Sequence, residues 1–228
     1  AGHSLGEFSA LVVSGCLSFE EALNLVLNRA VISQRVCERQ QTAMAAVVGL
    51  PDQSVEARVK TIFEETGEPV YVANYNGPGQ IVITGSKKGI RGACKALKRD
   101  GAKRAVVLPI SGSFHSPYME DAERELSELI SAAKFSEPNI PVIQCVDGEA
   151  HTDPERIKQN LTKHITHSVL WTTMVTTMNE MGVQEIYEAG PDDTLQKIVS
   201  RILNAVTIKS LWETKYYSSL TQRCYTPS

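Results

Sequence analysis

The chain opens with Ala1-Gly2-His3-Ser4-Leu5-Gly6-Glu7, and residues 2–6 fit the Gly-x-Ser-x-Gly pattern of a nucleophile elbow. In such an elbow a serine lies on a tight turn between a strand and a helix, and both flanking glycines are expected to prevent collisions with neighbouring backbone. The apolar run from Leu5 to Ser14 predicts the helix, which ends at Gly15. No strand precedes the turn here, so either the chain is part of a longer protein or the motif is a simple Gly-Ser turn.

Composition excludes several classes of protein. The 228 residues are 42% hydrophobic and 21% charged, which indicates a globular protein with a sizeable core. A net charge of -3 is unlike the basic surface of a nucleic-acid-binding protein, and no apolar run reaches the roughly 18 residues of a membrane span. The five cysteines are widely spaced without a Cys-x-x-Cys pair, so we expect reduced core thiols and no metal site.

The middle of the chain predicts a small domain of its own. Alternating apolar runs and turn residues give the element order βαββαβ over residues 42–110, which is the ferredoxin-like unit. The predicted strands are 43–50, 69–75, 80–84 and 104–110, and the predicted helices are 52–66 and 87–99.

The flanking segments predict an α/β domain that the small domain interrupts. Ser18-Phe19-Glu20-Glu21 is a capping box, and apolar residues recur at helical spacing from 19 to 36. We therefore expect a hydrolase-like parallel-sheet domain over residues 1–41 and 111–212, lacking its first strands, and an irregular tail at 213–228. Its later elements are helices at 116–134, 154–164, 172–181 and 193–205 and strands at 140–146 and 183–189.

Two side chains stand out as partners for Ser4. His115 lies in a loop between the last strand of the small domain and a helix, where it could act as the base that a serine nucleophile needs. It could equally be a histidine held by backbone contacts at a helix start. Arg29 emerges from an apolar helix surface and would bind a substrate carboxylate, unless it snorkels or pairs with a carboxylate of the protein.

Seven stretches, taken together, resemble the malonyl-CoA:acyl carrier protein transacylases of type II fatty acid synthesis. They occur in the family's order along the chain, to about residue 206. The stretches are Gly2 to Glu7, Arg29, residues 43–50, Asn74 to Gln80, Ser113 to Pro117, Val169-Leu170-Trp171 and Tyr187 to Pro191.

The resemblance implies the fold predicted above and a set of roles. Ser4 would be the nucleophile and His115 the general acid and base. Arg29 would hold the malonyl carboxylate, with Leu5, through its backbone N–H, and Asn76 as further substrate-binding residues. Phe114 would favour malonyl over methylmalonyl groups. The backbone carbonyl of His164 would orient His115, which would leave the side chain at 164 free to vary.

The implied reaction is a ping-pong transfer of malonyl from coenzyme A to the phosphopantetheine thiol of acyl carrier protein, through a Ser4 ester and without a metal or redox cofactor. Alternatives are an esterase or thioesterase with the same elbow, and a carrier-protein-binding subunit without catalysis. We expect a monomer, located in the cytoplasm of a bacterium or in a plastid or mitochondrion of a eukaryote.

The match also has gaps. The family's Gly-Gln-Gly segment, which contributes to the oxyanion hole, is not in the chain, so we expect these residues alone to be inactive. Gly190-Pro191-Asp192-Asp193 has an aspartate where a glycine is usual, and His167-Ser168 replaces a proline-containing turn.

Overall fold

The computed structural model describes residues 1–110, 112–203 and 206–211. The helices are α1 (Gly6–Val13), α2 (Phe19–Glu38), α3 (Asp52–Thr66), α4 (Lys87–Arg99), α5 (Glu120–Ala132), α6 (Pro154–Lys163), α7 (Trp171–Glu180) and α8 (Thr194–Ile202). The strands are β1 (Thr42–Val48), β2 (Val70–Gly77), β3 (Gln80–Ser86), β4 (Arg104–Val107), β5 (Val142–Ile143), β6 (Ala150–His151), β7 (Glu185–Glu188) and β8 (Thr207–Ser210).

The predicted ferredoxin-like subdomain is confirmed. Its four strands form one antiparallel sheet in the order β2-β3-β1-β4, and α3 and α4 connect them. Apolar side chains from the sheet and both helices meet in one buried cluster that includes Ile83, Ile90 and Leu97. Gly67 ends α3 in the left-handed conformation that a glycine adopts without strain.

A second cluster builds the part of the fold that carries the amino-terminal turn. Residues from α1, α2, α5 and α6 pack together there, with Leu11, Leu25, Met119 and Ile157 among the most buried. The predicted cap of α2 is present, since the side chain of Ser18 accepts a hydrogen bond from the backbone N–H of Glu21.

Contacts divide the chain into two units, residues 1–174 and 175–228. The first contains both clusters just described. In the second, β7 and β8 pair in parallel, and the buried carboxylate of Glu188 accepts the N–H groups of Leu195 and Gln196 at the start of α8. The domain boundaries drawn from the sequence stay a prediction, and the tail at 213–228 lies outside the described residues.

Several predicted elements differ in length. β4 ends at Val107 instead of residue 110, because Pro109 has no N–H to continue the ladder. The strand predicted at 140–146 is reduced to β5, which pairs antiparallel with β6, since the backbone N–H of Cys145 instead bonds to the side chain of Glu7. The short β8 was not predicted, and the end of the helix predicted at 193–205 lies outside the described residues.

Helix α2 carries apolar residues on two faces. The buried side includes Ala22, Leu25, Ile32 and Val36. A second row of apolar residues on the same helix is exposed in this structure. The helical spacing of apolar residues therefore marked an exposed face of α2 as well as the buried one. The exposed residues of this row are Phe19, Leu23, Leu27 and Val31.

Within residues 1–110, 112–203 and 206–211, no helix combines the length and hydropathy that a membrane crossing requires.

The buried cluster of the ferredoxin-like sheet generates a test of the fold. Ile83→Ala, at a side chain with no solvent exposure, is expected to lower the free energy of unfolding by about 2–5 kcal/mol, because it leaves a cavity. Val106→Ala on the exposed part of the same sheet is the matched control and should change it by less than about 0.5 kcal/mol. Urea unfolding measures both, and equal effects would contradict the packing described here.

Candidate active site

The turn at the amino end of α1 has the geometry of a nucleophile elbow. Ser4 adopts a left-handed backbone conformation with φ of 48°, and α1 starts two residues later. A Cβ added to Gly2 would lie 2.0 Å from the carbonyl oxygen of Gly6, so only glycine fits there. The expectation for Gly6 was wrong, because a Cβ at that position would meet no described atom within 4 Å.

The imidazole of His115 reaches the serine hydroxyl. Ser4 Oγ lies 2.7 Å from His115 Nε2. On the other side of the ring, His115 Nδ1 lies 3.0 Å from each of the backbone carbonyl oxygens of His164 and His167. Carbonyl oxygens only accept, so Nδ1 carries the proton and Nε2 is free to accept the hydrogen of Ser4.

The surroundings of His115 keep its ring neutral. Burial, followed by the positive charge of Arg29, lowers the pKa of His115 to about 4. At neutral pH the ring is therefore a hydrogen-bond acceptor toward Ser4. A serine bonded to an unprotonated histidine, which is itself oriented by other groups, is an arrangement that can form covalent acyl intermediates.

Arg29 provides an unpaired cation beside this pair. Its guanidinium carbon lies 5.7 Å from the ring centroid of Phe114, and burial lowers its pKa. Arg29 Nε is buried without a hydrogen-bond partner, and among the residues that the structure describes Arg29 forms no salt bridge. The protein carboxylate that could have explained this arginine is therefore not found in that part of the chain.

Asn76 is connected to the site by a hydrogen bond with His3, the residue before Ser4. The Nε2 of His3 lies 2.8 Å from the side-chain oxygen of Asn76, and the His3 ring packs edge-on against Trp171. Burial lowers the pKa of His3, so its neutral ring donates through Nε2 and Asn76 accepts. Leu5, the residue predicted to donate through its backbone N–H, follows Ser4 directly at the start of α1.

Sequence reasoning missed two groups that hold the elbow. The side chain of His164 is 2% exposed, and its Nε2 lies 3.1 Å from the backbone oxygen of Ser4. The carboxylate of Glu7 is fully buried and accepts hydrogen bonds from Cys145 N and Gln144 Nε2, and burial raises its pKa. A charged residue in the first turn of an otherwise apolar helix was the available signal for Glu7.

Within the residues that the structure describes, two groups of side chains bring possible metal-ligating atoms within 4.8 Å of one another. The first is Glu7, Cys145 and His164, in which the Glu7 oxygens are already hydrogen bonded. The second, at the surface, is Asp147, Glu149 and His151, where Asp147 bonds to His151 and to Arg156.

Comparison with known proteins gives the family of this chain. Residues 1–212 match the family described as the acyl transferase domain. The chain belongs to the acyl transferase domain family. It is 37% identical over 213 residues to the malonyl CoA-acyl carrier protein transacylase of Escherichia coli K12, a match that covers 93% of this chain and 68% of that protein.

Similarity extends to a polyketide biosynthesis protein and to solved structures of transacylases. It is 37% identical to the polyketide biosynthesis protein ThaF of Burkholderia thailandensis, over 89% of this chain and 17% of that protein. Among solved structures, the transacylase of Coxiella burnetii superposes with a TM-score of 0.90 at 32% identity, covering 97% of this chain and 69% of that one. A complex of a malonyl-transacylase with its type II polyketide acyl-carrier protein gives the same TM-score and identity, covering 97% and 71%.

The low pKa of His115 generates a pH prediction. His115 must be neutral to accept the Ser4 proton, so labelling of Ser4 by a fluorophosphonate should persist below neutral pH and fall to half near pH 4. The decline occurs as pH falls, because the protonated ring no longer accepts. Labelling rates across the acid range, with Ser4→Ala as the blank, measure the midpoint, and a value near the ordinary histidine pKa of about 6.5 would contradict the burial argument.

The two glycines of the motif generate a paired test. Gly2→Ala should lower the free energy of unfolding by about 1–3 kcal/mol and slow the labelling of Ser4, because its Cβ would overlap the Gly6 carbonyl. Gly6→Ala introduces the same methyl group into open space and should shift the unfolding free energy by less than about 0.5 kcal/mol. If both variants behaved alike, the close approach at Gly2 would not be what shapes the turn.

Proposed function

We propose that the chain transfers a malonyl group from malonyl-CoA to the phosphopantetheine thiol of an acyl carrier protein, through an ester on Ser4. The observation that carries the proposal is Arg29, a partly buried guanidinium beside a serine–histidine pair. Its buried Nε has no hydrogen-bond partner among the described residues. A substrate with a carboxylate would supply the missing acceptor, and a guanidinium can bind a carboxylate through two parallel hydrogen bonds.

The proposed reaction has two half-reactions that use the same residues. His115 Nε2 takes the proton of Ser4 as Oγ attacks the thioester carbonyl, and the thiolate of coenzyme A then leaves with that proton. The carrier's thiol gives its proton to His115 and attacks the Ser4 ester. The malonyl–sulfur bond forms as the bond to Ser4 Oγ breaks, and His115 returns the proton to Ser4 Oγ. The backbone N–H of Leu5 lies next to the nucleophile, where it would stabilise the oxyanion in both steps. The proposal requires no metal or redox cofactor.

Relatives support the choice of substrate and partner. Two proteins similar to this chain are named malonyl CoA-acyl carrier protein transacylases, and one structural neighbour is a malonyl-transacylase bound to an acyl-carrier protein. The guanidinium of Arg29 lies over the ring of Phe114. We propose that this ring narrows the acyl pocket, which would disfavour an α-methyl group on the substrate. The monomeric state and the cellular location stay predictions.

The contacts of His115 bear on the alternatives. An esterase of the serine–histidine–acid type orients its histidine with a carboxylate, whereas Nδ1 of His115 bonds to two backbone carbonyls. The carrier-binding subunit without catalysis would have no use for the short Ser4–His115 hydrogen bond. Both alternatives remain outcomes of the experiment below.

The test follows the acyl group and the role of Arg29 together. The protein, expressed with whatever sequence precedes residue 1 in its natural form, is incubated with malonyl-CoA and then with holo-acyl carrier protein. Mass spectrometry should find one malonyl group on Ser4, which then moves to the carrier. Arg29→Met should lower kcat/KM for malonyl transfer by about 10²- to 10³-fold, because the carboxylate loses its charged partner, and should not lower kcat/KM for acetyl transfer.

The matched control is Arg35→Met, which removes an exposed arginine on the same helix that pairs with Glu125. Arg35→Met should leave kcat/KM unchanged for both malonyl and acetyl transfer. An equal loss of malonyl and acetyl transfer in Arg29→Met would contradict the carboxylate contact. Free malonate as the sole product would favour the esterase, and unchanged function in Ser4→Ala would favour the binding subunit.

A further inference from the structure

His164 contacts both members of the serine–histidine pair, through different atoms. It follows directly on α6 and is almost completely buried. Its backbone oxygen is one of the two acceptors for His115 Nδ1, at 3.0 Å. Its side-chain Nε2 lies 3.1 Å from the backbone oxygen of Ser4. A single residue therefore links the carbonyl of the serine to the ring of the histidine.

The contact with Ser4 fixes the protonation of the His164 ring. The Ser4 carbonyl can only accept, so Nε2 of His164 must carry a hydrogen. Burial, with smaller contributions from the nearby His115 and Arg29, lowers the pKa of His164 well below its usual value, so the ring carries one proton, on Nε2. His164 is thus a neutral donor to the backbone of the nucleophile.

Hydrogen bonds to the Ser4 carbonyl help to fix the backbone conformation of the elbow. A non-glycine residue in the left-handed region costs about 1–3 kcal/mol and persists only where its surroundings hold it. The Ser4 oxygen accepts one hydrogen bond from Glu7 N at 2.9 Å, within the first turn of α1. The bond from His164 comes from an element distant in sequence, so it sets the orientation of the Ser4 peptide relative to His115.

We propose that the imidazole of His164 is a positioning residue, which directs Ser4 Oγ toward His115 by donating a hydrogen bond to the Ser4 carbonyl. This inference rests on the proposed function and adds a side-chain role to a residue for which the family resemblance implied a backbone role alone. Losing the donor would leave substrate binding at Arg29 intact and misplace Oγ. Small misplacements of reacting atoms cost about 10²-fold in rate.

The competing explanation is packing. The ring of His164 lies edge-on to the rings of Phe8 and His115, with centroids 5.9 Å and 5.5 Å away, so it also fills space in the core. The two explanations differ in which atom of the side chain matters. Packing depends on the volume of the side chain, whereas positioning depends on a donor at the place of Nε2.

Three substitutions separate these explanations. In His164→Gln the amide nitrogen occupies about the place of the imidazole Nε2, whereas in His164→Asn it reaches only the place of Nδ1. His164→Leu keeps an apolar side chain of moderate volume and has no donor. All three leave the backbone carbonyl that contacts His115 in place.

Malonyl transfer from malonyl-CoA to holo-acyl carrier protein is the assay, with kcat and KM measured separately. As in the test of the proposed function, each variant is made in the protein expressed with whatever sequence precedes residue 1 in its natural form. We expect His164→Asn and His164→Leu to lower kcat by about 10- to 100-fold with KM for malonyl-CoA within about twofold of the unsubstituted protein. His164→Gln should recover kcat to within about threefold. Thermal unfolding of each variant records any general loss of stability.

The outcomes distinguish this inference from the proposed function. If the unsubstituted protein forms no malonyl ester on Ser4, the proposed function fails. If the ester forms and all three variants transfer at the original rate, the inference is wrong. Equal losses in His164→Asn and His164→Gln would indicate packing and also overturn it. Should His164→Leu fail to fold, the comparison of the two amides still decides, because both keep a polar side chain.

Discussion

The short hydrogen bond between Ser4 and His115 joins two residues that both lie in the left-handed region of the backbone, with φ of 48° and 59°. No other non-glycine residue in the described part of the chain has a positive φ. Such conformations persist where several contacts fix them at once. For Ser4 these contacts are the bonds to its carbonyl, and for His115 they are the bond from its N–H to Ile165 and the two carbonyls at Nδ1.

The rest of the first unit supports these contacts through a series of hydrogen bonds. Buried Glu7 fixes the start of α1 to the backbone of Cys145, and the Cys145 carbonyl in turn accepts the N–H of Leu170. The preceding residue, Val169, bonds to the backbone of β2. The ferredoxin-like sheet is therefore connected to the elbow, and β2 brings Asn76 to His3 beside the nucleophile.

Local patterns were sufficient to predict much of this arrangement. The Gly-x-Ser-x-Gly motif made Ser4 a candidate nucleophile, and alternating apolar runs with turn residues predicted the βαββαβ order, because both signals depend on neighbours in sequence. The hydrogen bond between Glu7 and Cys145, and the one between the His164 ring and Ser4, each join residues more than 130 positions apart. Local periodicity in the sequence therefore cannot predict them. The same holds for β8, a four-residue strand that exists through its pairing with β7. Burial of one face of α2 instead of two was also decided by tertiary packing.

Under the proposed function, the charge of Arg29 would make the basicity of His115 depend on the acyl group that is bound. Its charge helps to hold the pKa of His115 near 4, which makes His115 a weak base when the site holds no carboxylate. A malonyl carboxylate on the guanidinium would neutralise that charge, and the pKa of His115 would rise because one of the two main causes of its depression is offset. The base that activates Ser4 would then become stronger when the acyl group is in place. An acyl group without a carboxylate would leave the base weak, so the same arginine would select substrates both by binding them and by tuning the residue that reacts with them.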